Sequence, residues 1–218
     1  MKNIFIVVEG YSELEFVNNL LAPYLIQNGA DIVKPYPVAT NSALGKKGGG
    51  KYKHLREELL RSVKYSPEKI VTTFFDYYAF PADAPDYTTC KQGTSVDERI
   101  LCLEQAIKND IAPNNHRFIP YLQKHEFEAL LFSSNGGFEI HFNEIAEETG
   151  RIINQHPNPE QINDNSATAP SKRIIGLIPS YNKVLHGNIL ALEIGIEMIL
   201  KKCPRFHNWV EMLINAIK

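Results

Sequence analysis

The chain has 218 residues, 44% of them hydrophobic and 22% charged, and its 23 Lys and Arg against 25 Asp and Glu give a formal net charge of -2. This composition excludes a disordered tail, a collagen-like rod and a disulfide scaffold, and a chain of this length can bury roughly 70% of its unfolded surface. It also excludes a globally basic coat, so any nucleic-acid surface has to be a local patch. Asn3 to Val8 (NIFIVV) is a continuous apolar, β-branched run, the pattern of a strand covered on both faces. It stops at Glu9-Gly10. Ser12 and Glu15 then have capping-box spacing ahead of a helix through Phe16, Leu20 and Leu21. Ile32 to Ala39 reads as a second strand, confined to an edge by Pro35 and Pro37.

A Gly- and Lys-rich stretch, Gly45 to Lys53, leads to a helix around His54 to Val63 with Leu55, Leu59 and Leu60 on one face. Lys69 to Phe75 (KIVTTFF) is a strong strand ending at Asp76. Ala79 to Thr94 reads as a loop, and Ser95 with Glu98 caps a helix to about Asn109. Arg117 to Gln123 (RFIPYLQ) is a further strand, and Lys124 to Phe132 (KHEFEALLF) extends it before turning helical. Gln155 to Ser171 is polar and Pro-punctuated, a long loop. Helices near Ile189 to Lys202 and Phe206 to Ile217 follow, separated by Pro204, with Phe206, Trp209 and Leu213 spaced for a packed face. Strands alternating with helices predict an α/β fold, a doubly wound, mainly parallel sheet with a C-terminal helical extension. The expected organisation is one domain over 1–218, with 134–218 mainly helical.

Cys90, Cys102 and Cys203 are odd in number and contain no C-x-x-C pair, which predicts reduced thiols. No apolar run reaches the ~18 residues of a membrane span. The apolar segment after Met1 meets Glu9 too soon for a signal peptide. A cytoplasmic protein with no membrane partner is expected.

The strands end in acids: Glu9, Asp76, and the pair Glu126 and Glu128. Ligands of open α/β sheets bind beyond the carboxyl ends of the strands, so these acids are expected to converge. Clustered carboxylates repel unless a cation lies between them, and hard oxygen ligands suit Mg²⁺ or Mn²⁺. The plain alternative is that one or two of these acids merely cap the helix that follows. His125 and Glu128 share a face on a helix, whereas Glu126 and Glu128 share one on a strand. Ala129 rules out H-E-x-x-H. One of the two glutamates is expected as a metal ligand, with His125 as a phosphate contact or proton shuttle.

Gly45 to Tyr52 nearly fits a P-loop, but Tyr52 stands where the Mg²⁺-binding hydroxyl belongs. A basic loop gripping a phosphate backbone through Lys46, Lys47 and Lys51 is one reading, and a solvated linker the other. Lys172 and Arg173, with Lys183 and His186, form a second basic set. Lys172 is expected to neutralise a scissile phosphate, and Arg173, Lys183 and His186 to hold nucleic acid.

Val8 to Glu13 (VEGYSE) after an apolar strand resembles the first motif of Toprim domains, and Phe74-Phe75-Asp76 resembles their second. The whole chain is similar to a bacterial Toprim-type family of undescribed function, with matching hallmarks at Val8-Glu9-Gly10, Thr73 to Pro81, His125 to Phe132, Ile162 to Asp164 and Thr168 to Arg173. The resemblance implies a Toprim-like fold and a setting beside an ABC- or OLD-type ATPase in phage defence. Toprim's second motif is usually D-x-D, whereas this chain has Asp76-Tyr77-Tyr78, so either a further carboxylate comes from Glu126 or Glu128 or the site holds metal weakly. The resulting expectation is a divalent-metal-dependent nuclease acting on DNA or RNA. The rival is a non-catalytic regulatory subunit of the ATPase.

Overall fold

The computed structural model describes residues 2–38, 51–65, 67–162 and 168–218. Strand β1 (Asn3–Val8) runs parallel to β2 (Ile32–Pro37) on one side and to β3 (Ile70–Asp76) on the other, with Val8 opposite both Pro37 and Phe74. β2 is the edge, where its prolines cost no ladder bonds.

Beyond β3 the expected strand over 117–123 is divided. β4 (Phe118–Ile119) and β5 (Leu122–Gln123) each pair in parallel with β3. Pro120 falls between them and has no N–H to donate. The Thr73 hydroxyl bridges the gap, accepting from Tyr121 N at 2.7 Å and donating to Tyr121 O at 2.6 Å. Asp76 therefore lies opposite Gln123, and the chain after β5 continues alongside the residues after β3.

Helix α1 (Tyr11–Phe16) passes through a π-helical stretch (Val17–Leu21) into α2 (Ala22–Gln27). Its capping carboxylate is Glu13 rather than Glu15: Glu13 Oε2 accepts from Gly10 N at 3.0 Å. The helix is capped at Gly10, two residues before the expected Ser12, so Ser12 is already inside it. α3 (Tyr52–Tyr65), α4 (Tyr87–Cys90) and α5 (Val96–Ile111) follow, the last with the expected Ser95–Glu98 box. α4 lies inside the stretch expected to be a loop. Cys90 at its end is bonded to Cys102 on α5, with Cα atoms 5.4 Å apart. This corrects the expectation of reduced thiols for both: the turn between α4 and α5 folds a separation of 12 residues back on itself. Cys203 is free and buried, and burial raises its thiol pKa.

The remaining described residues are mainly helical. A 3-10 helix (Phe127–Ser133) leads to α6 (Gly136–His141), α7 (Ala146–Gln155), α8 (Pro170–Leu177), α9 (Lys183–Ile194), α10 (Ile196–Lys202) and α11 (Pro204–Ala216). The helix expected over 189–202 is broken at Gly195, whose φ of 78° suits a residue without Cβ. The polar stretch over 155–171 holds a 3-10 turn (Pro159–Gln161).

The sheet separates two cores. Ile4, Ile6, Val8, Ile70 and Phe74 face α1, α2 and the C-terminal helices. Val7, Val71 and Phe75 face α3 and α5. Both faces being buried is why β1 and β3 read as unbroken apolar runs. The first core is aromatic: the Trp209 ring stacks on Tyr121 at 4.4 Å and on Phe74 at 5.5 Å, and its Nε1 donates to Thr72 Oγ1 at 2.9 Å. Glu160 caps α11, accepting from Arg205 N at 2.8 Å and Phe206 N at 2.9 Å. No helix among the described residues is long and apolar enough to cross a membrane.

Candidate functional site

The parallel register brings the carboxyl ends of β1 and β3 side by side, and β5 delivers a third segment next to them. Glu9 lies just past β1, and its Oε2 accepts the backbone N–H of Asp76 at 3.2 Å. Asp76 Oδ1 in turn accepts the N–H of Phe127 at 2.8 Å. That bond satisfies an orphan donor at the start of the 3-10 helix, so the capping alternative for Asp76 is realised in the same carboxylate.

The segment between β5 and that helix is pinned by Tyr77 N to Gln123 O and Tyr78 N to His125 O, both 2.8 Å. His125 is buried with a φ of 68°, a left-handed conformation that costs a non-glycine residue about 1–3 kcal/mol. The resulting turn sends Glu126 and Glu128 back over the ends of β1 and β3. Glu126 is buried and doubly held: Oε2 accepts from Ser171 N at 2.9 Å, and Oε1 from the Ser171 hydroxyl at 3.0 Å. Glu128 is only 1% exposed and meets the Lys183 ammonium at 2.9 Å.

These acids act on one another. Burial raises the Asp76 pKa well above the usual carboxylate range, and Glu9, Glu13, Glu128 and Glu126 add to the rise. Burial likewise raises Glu9, which is exposed as a residue but crowded at its carboxylate. Glu13 is raised to about 7, first by burial and then by Glu9 and Glu128. Glu128 is raised by burial, against the pull of Lys183. Burial opposes charge on Lys183, but Glu128, Glu126 and Asp76 outweigh it, and its pKa rises. The centre thus gathers more carboxyl groups than its one described ion pair can neutralise. No group of three or more His, Cys, Asp or Glu among the described residues is already arranged as a metal cage.

The other expected residues divide. Lys183, expected on a nucleic-acid surface, instead faces the acids. His186 is held on α9 itself: its Nδ1 accepts from Asn182 N at 3.0 Å, and its ring packs on Phe142 and Tyr181. Arg173 turns its guanidinium to backbone, donating to Thr168 O at 2.9 Å and Ile162 O at 3.2 Å, and so anchors a loop. Lys172 is exposed on α8, next to the Ser171 that holds Glu126. Lys51 is exposed ahead of α3. Lys46 and Lys47 lie outside the described residues, as do Asn163 and Asp164.

Three members of the site carry no sequence signal of their role. Glu13 reads as an ordinary helix-start acid. Ser171 meets Glu126 across 45 residues of chain. The Tyr181 hydroxyl is buried near Glu128, Glu126 and Glu13 with no hydrogen-bond partner among the described residues. Tyr181 fits because residue 187 is glycine; a Cβ there would stand 3.0 Å from the phenol oxygen.

No curated protein matches the chain. Among solved structures, the platinum-phased C-terminal region of the Xanthomonas campestris pv. campestris OLD protein is similar over 98% of this chain and 93% of that one, with a TM-score of 0.50 at 15% identity. The mercury-phased form of the same region gives a TM-score of 0.46 at 14% identity, over 99% and 96% of the two chains. The platinum-phased likeness is one of fold. The model of a family described as a domain of unknown function, DUF4276, matches residues 8–214.

Proposed function

The chain belongs to the DUF4276 family, and on that premise we propose that it is a Toprim-type, divalent-metal-dependent nuclease. The observation that carries this reading is the gathering of Glu9, Asp76, Glu126 and Glu128 at the carboxyl ends of neighbouring parallel strands, with Lys183 among them. The fold shared with the OLD C-terminal region supports it, and so do the VEGYSE and FFD motifs.

The donor set fits Mg²⁺ or Mn²⁺. All its members are hard carboxylate oxygens, and burial, with the neighbouring acids adding to it, raises the proton affinity of Glu9, Asp76 and Glu128. Glu9 and Asp76 would hold the metal, joined by Glu126 or Glu128. Bound there, the metal would supply Lewis-acid polarisation of a phosphoryl oxygen and activation of the attacking water. The chain's own groups do the rest. The Asp76 N–H fixes the Glu9 carboxylate, and the Phe127 N–H fixes that of Asp76. Ser171 holds Glu126 against rotation. Lys183, 46% exposed at its side chain, is placed to take a phosphate oxygen in exchange for part of its contact with Glu128. Lys172 offers a second cation from α8. In the cell the partner is an ABC- or OLD-type ATPase and the setting phage defence.

One observation favours the rival, a non-catalytic subunit that docks on the ATPase. Asp76 caps a helix and Glu126 holds Ser171, so both acids have structural work without a metal. Incubating the purified chain with single- and double-stranded DNA and RNA, in Mg²⁺ or Mn²⁺ and with or without the ATPase, separates the two. Cleavage that is lost in Glu9→Gln supports the nuclease. Absence of cleavage under every condition leaves the subunit.

A further inference from the structure

A cluster of carboxylates repels a phosphodiester, so affinity for a nucleic-acid strand has to come partly from groups indifferent to charge. The rim of the site supplies them. Tyr11 is the first residue of α1, two positions after Glu9, and is 70% exposed. The Asn188 amide on α9 donates to Ser12 O at 3.3 Å and to Val184 O at 2.9 Å, which fastens the first turn of α1 beside the first turn of α9. That turn of α9 carries Lys183, whose ammonium faces the acids, and then Val184 and Leu185, 39% and 57% exposed. A lone exposed aromatic is ordinary on a protein surface. Here the exposed phenol starts the helix whose Ser12 carbonyl shares the Asn188 amide with the Val184 carbonyl, and Lys183, next to Val184, pairs with Glu128 of the acidic centre.

From this arrangement we infer that Tyr11 is a stacking platform for an unpaired nucleobase, and that the site takes single-stranded or frayed nucleic acid. The inference rests on the nuclease reading and names its substrate class. The face of a base in a duplex is already covered by its neighbours, whereas an unpaired base offers its face to an aromatic ring. The base rests on Tyr11 against the aliphatic edge, and its phosphate reaches Lys183 and the carboxylate centre.

The test uses the full chain in Ca²⁺, with an oligonucleotide carrying a fluorescent purine analogue as a single strand and as a blunt duplex. Losing one stacked base weakens binding roughly 5- to 150-fold. Tyr11→Ala is expected to weaken single-strand binding within that range and leave duplex binding unchanged. Tyr11→Phe is expected to bind as the parent does. Because Tyr11 is exposed, thermal melting should be the same in all three proteins. Single-strand binding by Tyr11→Ala equal to the parent's overturns the stacking role. The nuclease reading then still stands or falls separately, on Mg²⁺-dependent cleavage by the parent and its loss in Glu9→Gln. A parent chain that neither binds nor cleaves any strand overturns both.

Discussion

The backbone N–H of Asp76 points at the carboxylate of Glu9 across 3.2 Å, so the last residue of β3 and the turn after β1 are joined by the chemistry of the candidate site itself. Exchanging either acid for its amide preserves this contact geometry, because Gln at 9 and Asn at 76 both keep a carbonyl acceptor. Such exchanges therefore separate charge from shape.

Glu9→Gln and Asp76→Asn should each lower Mg²⁺-dependent cleavage by roughly 100-fold or more, the scale seen when groups that hold or orient a metal are lost. Without metal, each variant should be as stable as the parent or slightly more so, since a repelling charge has gone. Added Mg²⁺ should raise the melting temperature of the parent more than that of either variant. Equal Mg²⁺ shifts in all three would remove Glu9 and Asp76 from the metal site.

Stability should depend on pH in the direction opposite to ordinary salt-bridged acids. Burial pushes the Glu13 carboxyl from its ordinary 4.5 up to about 7, so between those values the folded chain holds a proton that the unfolded chain releases. Stability then falls as pH climbs through that window and levels off above it. A shift of this size corresponds to about 3 kcal/mol at most, and the raised Glu9, Asp76 and Glu128 act in the same sense. Urea midpoints in EDTA should drop between pH 5 and pH 8, with a smaller drop in Glu13→Gln. A parent whose midpoint rises with pH would contradict the burial of these carboxylates.

Lys183→Met leaves Glu128 buried without its ion partner. Because the lysine is half exposed, the expected cost is about 1–2 kcal/mol rather than that of a fully buried pair. The cost should be larger at pH 8 than at pH 5, where Glu128 can take a proton instead. Adding Glu128→Gln should recover most of it. A double variant no more stable than the single one would mean that the pair is not the source.

The C-terminal helices complete the first core, so they should not separate from the sheet on unfolding. Trp209→Ala removes a ring stacked on Tyr121 and Phe74 and a hydrogen bond to Thr72, at an expected cost of about 3–5 kcal/mol. The unfolding transition should remain single. A chain ending before Ser134 should not fold, because it leaves Ile4, Ile6 and Phe74 uncovered. Two resolved transitions in the full chain would show an independent helical unit.

Much of this architecture was legible in the residues. β1 and β3 are apolar throughout because both their faces are buried, and the acids stood out because they end those runs. Pro35 and Pro37 marked the edge strand. The limits are equally physical. The division at Pro120 is bridged by a hydroxyl, Thr73, that looks like any strand residue. Ser171, Tyr181 and Lys183 reach the site from segments far along the chain, and no local period encodes that approach. Lys183 read as surface charge because its partner, Glu128, is 55 residues away, the difference of their positions. The Cys90–Cys102 pairing depends on a turn between two helices, which spacing alone does not reveal.

That pairing also changes what a cut in the backbone does. Between β3 and β4 the bridge closes a covalent ring that contains Lys91, exposed at the end of α4, and Arg99 within α5. Cleavage by trypsin after either residue opens the polypeptide but leaves its two pieces attached, one carrying β1 to β3 and the other β4, β5 and the C-terminal helices. On an electrophoresis gel such a nicked chain migrates near full length until a thiol reductant is added, and then falls apart into two bands. Each half of the candidate site would travel with a different band: Glu9 and Asp76 with one, Glu126, Glu128 and Lys183 with the other.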